Sequence, residues 1–191
     1  MRDGDHAIRF ARRGYDVVGI DTSRGQLAVA RQKAGEAGFR IRLVHGNMGA
    51  FEFDKPFDAM LCLFGGFGYL LKTRDVLECL RCVGGHLAPD GVFALEFWQS
   101  SGVRPPPDRS WLHRTGKSIE LFRLAESRYD GGPRRLPIDF RFFVFKGRKL
   151  IDRFHEIHTV RTYTNGGDAA FVAPRRAHDA GGLRGCPGPG A

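Results

Sequence analysis

Cysteine is scarce, with four in 191 residues. That is too few to staple a disulfide scaffold, so an apolar core must hold the chain together, and a reducing cytoplasm is its simplest home. Long apolar runs are missing as well. The longest, Ala59 to Leu71, is broken by Gly65, Gly66 and Gly68, and it falls short of the roughly 20 residues a membrane-crossing helix needs. No membrane segment is therefore expected. The opening Met1-Arg2-Asp3-Gly4-Asp5-His6 lacks the apolar character of a secretory leader. Acidic residues are outnumbered, 21 against 30 lysines and arginines, for a net charge of +9. The excess is uneven: residues 1–100 hold 13 basic and 12 acidic side chains, residues 101–191 hold 17 and 9. A basic second half suits an anionic partner such as RNA. No aromatic–basic RNA-binding motif accompanies it, however, and solvated arginines on strand faces are the preferred reading. With 42% hydrophobic and 27% charged residues, the composition excludes wholesale disorder.

What is present is a rhythm of strands and helices over residues 1–100. A helix from Asp5 to Arg13 buries Ala7, Ile8 and Ala11 and stops at Gly14. Asp16 to Ile20 reads as a buried strand ending at Asp21. Ser23-x-x-Gln26 is a capping-box pattern, and Leu27, Ala30 and Ala34 follow at helical spacing before Gly38. A strand at Ile41–Val44 leads to a turn at Gly46-Asn47, and the apolar run Ala59–Phe64 supplies another strand. Thr73 is placed to cap a helix with a stripe of Val76, Leu77, Leu80, Val83 and Leu87. Leu87-Ala88-Pro89-Asp90-Gly91 reads as a turn before a strand at Val92–Phe97. Such alternation specifies a parallel α/β sheet with right-handed crossovers.

Residues 101–164 differ. After Pro105-Pro106-Pro107, the segments Ile119–Tyr129, Ile138–Phe145 and Leu150–Tyr163 are β-like with no helix between them, and turns are expected at Asp130–Pro133 and Lys146–Arg148. Ile138, Phe140, Phe142 and Val144 alternate with Asp139 and Arg141, which predicts an antiparallel meander. In residues 165–191, Gly and Pro fill 10 of 27 positions, and this tail is expected to be disordered. Three domains result: a core over 1–100, a β extension on the substrate side over 101–164, and the tail over 165–191.

Open parallel sheets take ligands beyond the carboxyl ends of their strands. Asp21, Asn47 with Met48, and Phe64 through Tyr69 fall there. A carboxylate directly after a buried strand and two residues before a helix cap is the usual acceptor for the two hydroxyls of a nucleoside ribose. Three glycines in Phe64-Gly65-Gly66-Phe67-Gly68-Tyr69 allow a close backbone approach to a ligand, or equally a flexible turn among core phenylalanines. Cys79-x-x-Cys82 lies inside a predicted helix with no second pair near it, so no metal is expected. In His155-Glu156-x-His158, Glu156 and His158 share one strand face and His155 the other, so the three cannot converge and a solvated strand is expected.

Arg12-Arg13-Gly14-Tyr15-Asp16-Val17-Val18-Gly19-Ile20-Asp21, the His45-Gly46-Asn47-Met48 turn, Phe57–Phe64 and Leu87–Phe93 occur in that order. Together they resemble the class I, Rossmann-like S-adenosylmethionine-dependent methyltransferases over residues 4–98. The meander is similar to the strand-rich extension of some small-molecule members. The resemblance implies a small-molecule methyltransferase with S-adenosyl-L-methionine as cofactor. It implies that Asp21, with Thr22 beside it, meets the ribose, that Asn47 and Met48 flank the adenine, and that Leu63 and Phe64 line the cofactor. Gly4 would match the last glycine of the family's glycine-rich loop, and Tyr69 is a candidate substrate contact. No residue is assigned as a catalytic base, because orienting the nucleophile near the methyl group supplies most of the catalysis in small-molecule members.

Three departures are informative. Asn47 stands where the family usually carries Asp, and the family's first strand and first glycines belong before Gly4. After Thr164 the pattern also breaks where the family continues with a helix and a hairpin. The expectation is a mostly parallel sheet lacking the family's first strand and C-terminal hairpin. The rival readings are a fragment of an NAD-dependent oxidoreductase, which also uses an acidic residue after its second strand, and a non-catalytic remnant or basic nucleic-acid-binding module. The coding DNA checks the fragment expectation: strand and glycine-loop codons should be found upstream in some frame, and their absence in all frames counts heavily against it.

Overall fold

The computed structural model describes residues 4–100, 108–128 and 134–164. The triple proline at 105–107, the expected turn at 130–133 and the tail at 165–191 lie outside the described residues. The described chain divides into two compact units, 4–67 with 72–96 and 68–71 with the residues from 97 onward to 164.

The first unit opens with α1 (Asp5–Arg12), β1 (Val18–Asp21), α2 (Arg24–Glu36) and β2 (Arg42–His45), and β1 pairs in parallel with β2. Asp5 stands in the first turn of α1 and Arg9 and Arg12 in its last, matching the helix dipole. The capping signal before α2 holds, since Ser23 Oγ accepts the Gln26 N–H at 3.2 Å. Leu27, Ala30 and Ala34, at i, i+3 and i+7, are its buried face. Both β1 and β2 begin one or two residues later than the apolar runs suggest, and each reaches the polar residue beyond its run.

β3 (Phe57–Cys62), α3 (Thr73–His86) and β4 (Leu87–Leu95) follow, and β3 pairs in parallel with β4. Five expectations need correction here. β3 lies two residues earlier at both ends than the Ala59–Phe64 run suggests. Lys72 occupies the cap position of α3 and Thr73 is its first helical residue. The buried stripe is Val76, Cys79, Leu80, Cys82 and Val83, while Leu77 is exposed and Leu87 already belongs to β4. The cysteines are small apolar side chains on the inward face, so they pack in the core where a wider leucine stripe was expected. The expected turn at Leu87–Gly91 lies within β4. Phe57 is opposite Leu87 and Ala59 opposite Val92, so the residues between bulge out, with Asp90 left-handed at φ 63°. The strand also ends at Leu95, two residues before Phe97.

The second unit is a five-stranded sheet in the order β5-β9-β8-β7-β6, built from β5 (Trp98–Gln99), β6 (Asp108–Thr115), β7 (Glu120–Ser127), β8 (Arg135–Lys146) and β9 (Lys149–Tyr163). β6 to β9 form the antiparallel meander, and β5 runs parallel to the end of β9. Sequence reading missed β6. Its burial pattern shows why, since only Leu112 is even partly buried and no apolar alternation marks this edge strand. The core consists of Ala125, Leu136, Ile138 and Val160, with Phe140 packed against it. A short 3-10 turn, Gly66–Tyr69, brings Gly68 close to this sheet. A Cβ on Gly68 would stand 3.1 Å from Trp98 Cδ1 and 3.3 Å from Val160 Cβ.

Gly4 is the tightest glycine. It sits at φ 79° as the residue before α1, and a Cβ there would stand 2.8 Å from the Cβ of Ala30 on α2. Backbone conformation and packing thus both demand glycine. Gly4→Ala is expected to destabilise the chain by about 1–3 kcal/mol, read as a fall in the thermal midpoint. Adding Ala30→Gly should recover the steric part and leave the backbone part. An unchanged midpoint for Gly4→Ala alone would show that α1 moves off α2 at no cost.

Candidate functional site

Most of the candidate residues stand at the carboxyl ends of β1, β2 and β3. β1 and β2 end on Asp21 and His45, which are register partners. The Gly46 N–H donates to the Asp21 carbonyl at 3.1 Å. His45 Nε2 lies 3.0 Å from the Thr22 carbonyl oxygen, and because a carbonyl only accepts, Nε2 carries the proton. The Asp21 carboxylate in turn accepts the Ser23 N–H at 2.8 Å. It is therefore aimed by the start of α2, whose dipole favours negative charge at that end.

Asn47 carries a turn of its own. Its Oδ1 accepts the Gly49 N–H at 3.0 Å, and its backbone carbonyl accepts the Ala50 N–H at 3.0 Å. A side-chain carbonyl has two lone pairs, so this one can shape the turn and still accept from a ligand. The Met48 methyl reaches within 4.0 Å of the Cβ position on Gly66, beyond the end of β3.

At the end of β3, Leu63 is half-buried and Phe64 is left-handed at φ 61°. That conformation costs a non-glycine residue about 1–2 kcal/mol. The compensating contact comes from Glu96, just past β4. Its carboxylate accepts the Phe64 N–H at 2.6 Å, while its own N–H donates to the Cys62 carbonyl at 2.9 Å. The Phe64 ring lies against His6 with centroids 5.1 Å apart, which brings the first turn of α1, two residues beyond Gly4, to the end of β3. Two free thiols, Cys62 and Cys79, lie nearby. Burial raises the Cys62 pKa, and burial followed by the neighbouring Cys62 pushes Cys79 up to about 12.

Tyr69 belongs to the second unit. Its hydroxyl lies 2.6 Å from His158 Nδ1, and His158 Nε2 lies 3.1 Å from Glu156 Oε2. Burial, and then the Glu156 charge, raise the Tyr69 pKa. His155 turns to the opposite face and meets Asp139 at 3.1 Å. The face assignment of the His155–His158 segment thus stands, but His158 is not simply solvated: two side chains hold it. The meander also carries a shallow hollow of about 270 Å³ between Arg109, Trp111, Leu124, Glu126, Asp139 and Arg141. None of the candidate site residues lines it.

Sequence reasoning gave no role to Glu96, His6 or His45, and it placed Glu156 and His158 on one strand face but read them as solvated. Glu96 carries the same signal that identified Asp21, a carboxylate directly after a strand. His6, His45 and the Tyr69 contact of His158 had no signal in sequence, because the partners are 23 to 89 residues away.

A carboxylate, an amide turn and a left-handed strand end stand at the carboxyl ends of β1, β2 and β3, the edge at which open α/β folds take ligands. Residues 2–91 match the family described as "Methyltransferase domain". The chain is 32% identical over 162 residues to the dTDP-3-amino-3,6-dideoxy-alpha-D-glucopyranose N,N-dimethyltransferase of Streptomyces fradiae, covering 84% of this chain and 61% of the relative. It is 25% identical over 173 residues to the dTDP-3-amino-3,4,6-trideoxy-alpha-D-glucopyranose N,N-dimethyltransferase of Streptomyces venezuelae, covering 89% and 70%. The crystal structure of DesVI from Streptomyces venezuelae superposes with a TM-score of 0.74 at 22% identity, covering 86% of this chain and 67% of that one, a likeness of fold. The chain spans about two thirds of the length of its curated relatives, from 61% to 70% of the first three. Residues 2–91 are thus similar in sequence to a methyltransferase domain, and the chain shares the fold of a solved methyltransferase-like neighbour.

The Glu96 bond yields a prediction about the strand end. Glu96→Gln should lower stability by about 1 kcal/mol, since the acceptor loses its charge in a partly wet setting. Phe64→Gly in that background should regain part of it, because glycine holds a positive φ without strain. Urea midpoints of the three proteins check this, and a further loss in the double variant would mean the strain is not at Phe64.

Proposed function

We propose that this chain binds S-adenosyl-L-methionine along the edge made by Gly4, Asp21, Thr22, Asn47, Met48, Leu63 and Phe64 and methylates a small-molecule amine. The observation that carries the reading is Asp21, whose carboxylate is held in place by the Ser23 N–H at 2.8 Å at the end of β1. A fixed carboxylate beside a helix start suits the paired hydroxyls of a ribose, and Asn47 retains acceptor capacity for an adenine amino group. Leu63 and Phe64 offer apolar surface, with Phe64 46% exposed. When bound, the cofactor supplies an electrophilic methyl group on a sulfonium. The chain's own contribution is to hold the two reactants in line, which lowers the barrier by pre-ordering them.

The preference for an amine comes from the relatives, two of which are named as N,N-dimethyltransferases of dTDP-amino sugars. The basic excess of the second half does not argue for nucleic acid as strongly as its count suggests. Arg109 and Arg128 both pair with Glu126 at 2.9 and 2.7 Å, and Arg141 pairs with Asp139 at 3.3 Å. These cations are already partly neutralised within the sheet. Among the described residues no helix is long and apolar enough to cross a membrane, and we assign a cytoplasmic role on the low cysteine content.

Calorimetric titration with S-adenosylhomocysteine is the direct test. Micromolar binding is expected, with Asp21→Ala weakening it by at least about tenfold, or about 1.4 kcal/mol. Asn47→Ala should weaken it less, since it removes one neutral hydrogen bond and a turn. A folded chain that shows no heat of binding would sink the proposal.

A further inference from the structure

Resting on the cofactor reading, we infer that Glu96 receives the α-ammonium group at the amino-acid end of S-adenosyl-L-methionine. Every residue of this site belongs to the first unit. On the proposed edge, Asn47 and Met48 take the adenine, and Asp21 with Thr22 takes the ribose. The ribose is the middle of the cofactor, so its amino-acid end falls to the members of the edge that remain, Gly4, Leu63 and Phe64. These stand together, since the ring of His6, two residues on from Gly4, has its centroid 5.1 Å from that of Phe64. Glu96 adjoins the same point. It lies one residue past β4, whose parallel partner β3 ends two residues before Phe64.

Glu96 is held by backbone and by side chain. Its N–H donates to the Cys62 carbonyl at 2.9 Å, and its Oε2 accepts the Phe64 N–H at 2.6 Å. The residue is nevertheless exposed. A carboxylate has about four acceptor positions, so one amide bond leaves most of its capacity open. Asp5, Glu126 and Asp139 each meet a lysine or an arginine. Among the described residues, by contrast, no cation pairs with Glu96. A fixed carboxylate with open acceptor positions and an uncompensated charge fits a ligand group that is positive and rich in N–H donors.

The cofactor has two cationic centres. Its sulfonium is surrounded by carbon and brings no N–H, whereas its ammonium brings three donors. Hydrogen-bond chemistry therefore selects the ammonium. The two duties of Glu96 are separable. A neutral side-chain amide oxygen still accepts the Phe64 N–H, at some loss of strength, so the strand end needs only an acceptor. The bond to an ammonium draws on the full charge.

Calorimetric titration of the full chain with three ligands is the test. S-adenosylmethionine and S-adenosylhomocysteine both carry the ammonium. Methylthioadenosine keeps the adenine, the ribose and the sulfur but lacks the amino-acid end. Glu96→Gln should weaken the first two by a similar factor, at least about tenfold, and methylthioadenosine by less than about twofold. Glu96→Gln with Phe64→Gly relieves the strand end. Its ratio of S-adenosylhomocysteine to methylthioadenosine affinity should stay as low as in Glu96→Gln, which covers the case of a single variant that folds poorly. Equal weakening of all three ligands would mean that Glu96 only holds Phe64, and overturns the inference. Weakening confined to S-adenosylmethionine would put the charge at the sulfonium and overturns it too, as does unchanged binding throughout. The cofactor reading survives each of these results. It fails if the folded, unaltered chain binds none of the three, and the inference then falls with it.

Discussion

The bond from the Phe64 N–H to the Glu96 carboxylate, 2.6 Å long, is the contact on which the candidate site depends. It holds a phenylalanine at φ 61°, a conformation the residue does not favour. By doing so it ends β3 abruptly and turns the chain into Gly65 and the 3-10 turn that carries Tyr69. The same glutamate closes the other side of the joint through its own N–H to Cys62. One residue past β4 therefore sets both where β3 stops and the direction in which the chain leaves it. His6 then leans on the exposed Phe64 ring, so the first turn of α1 is referenced to the same point.

A second constraint works through absence of side chain. Gly4 lies so near Ala30 that no other residue fits without movement, and Gly68 is similarly pressed between Trp98 and Val160. Each marks a place where backbone is brought against packed side chains, one in each unit. The glycines of the Phe64–Tyr69 segment are therefore not a uniform loosening of the chain. Gly65 takes a left-handed turn, whereas Gly68 allows close packing within the second unit. The alternatives left open from sequence, a ligand cradle or a flexible turn, are both too simple for a segment whose glycines do different work.

Polar residues at this edge are mostly engaged in holding one another. Asp21 takes the Ser23 amide, His45 takes the Thr22 carbonyl, and Asn47 takes the Gly49 amide. Such a network costs little because it is partly wet, and it fixes orientation before any ligand arrives. In the meander the same economy pairs arginines with Glu126 and Asp139, and their hydrogen bonds hold both carboxyls below the usual range. For Glu126 the bonds from Arg128 and Arg109 lead. For Asp139 burial pulls upward, and Arg141 and His155 outweigh it.

Local patterns were enough to place most of the fold. Periodicity of two or of 3.6 and the residues that cap or stop an element are properties of neighbours in the chain, so β1, α2, β3 and the alternation in β8 were readable from the sequence, as was Asp21 after its strand. β6 was not, because an edge strand with only Leu112 partly buried carries no apolar rhythm. The end of α3 was misread because cysteines took the inward positions, and the turn at Leu87–Gly91 became a bulge because pairing with β3 continued on either side of it. The sequence alone determined which residue types stand at the strand ends, since that follows from short-range pattern. Only the tertiary structure decided that Glu96 holds Phe64 and that His158 holds Tyr69, because a hydrogen bond between residues 32 or 89 positions apart exists only once distant strands have been brought into register.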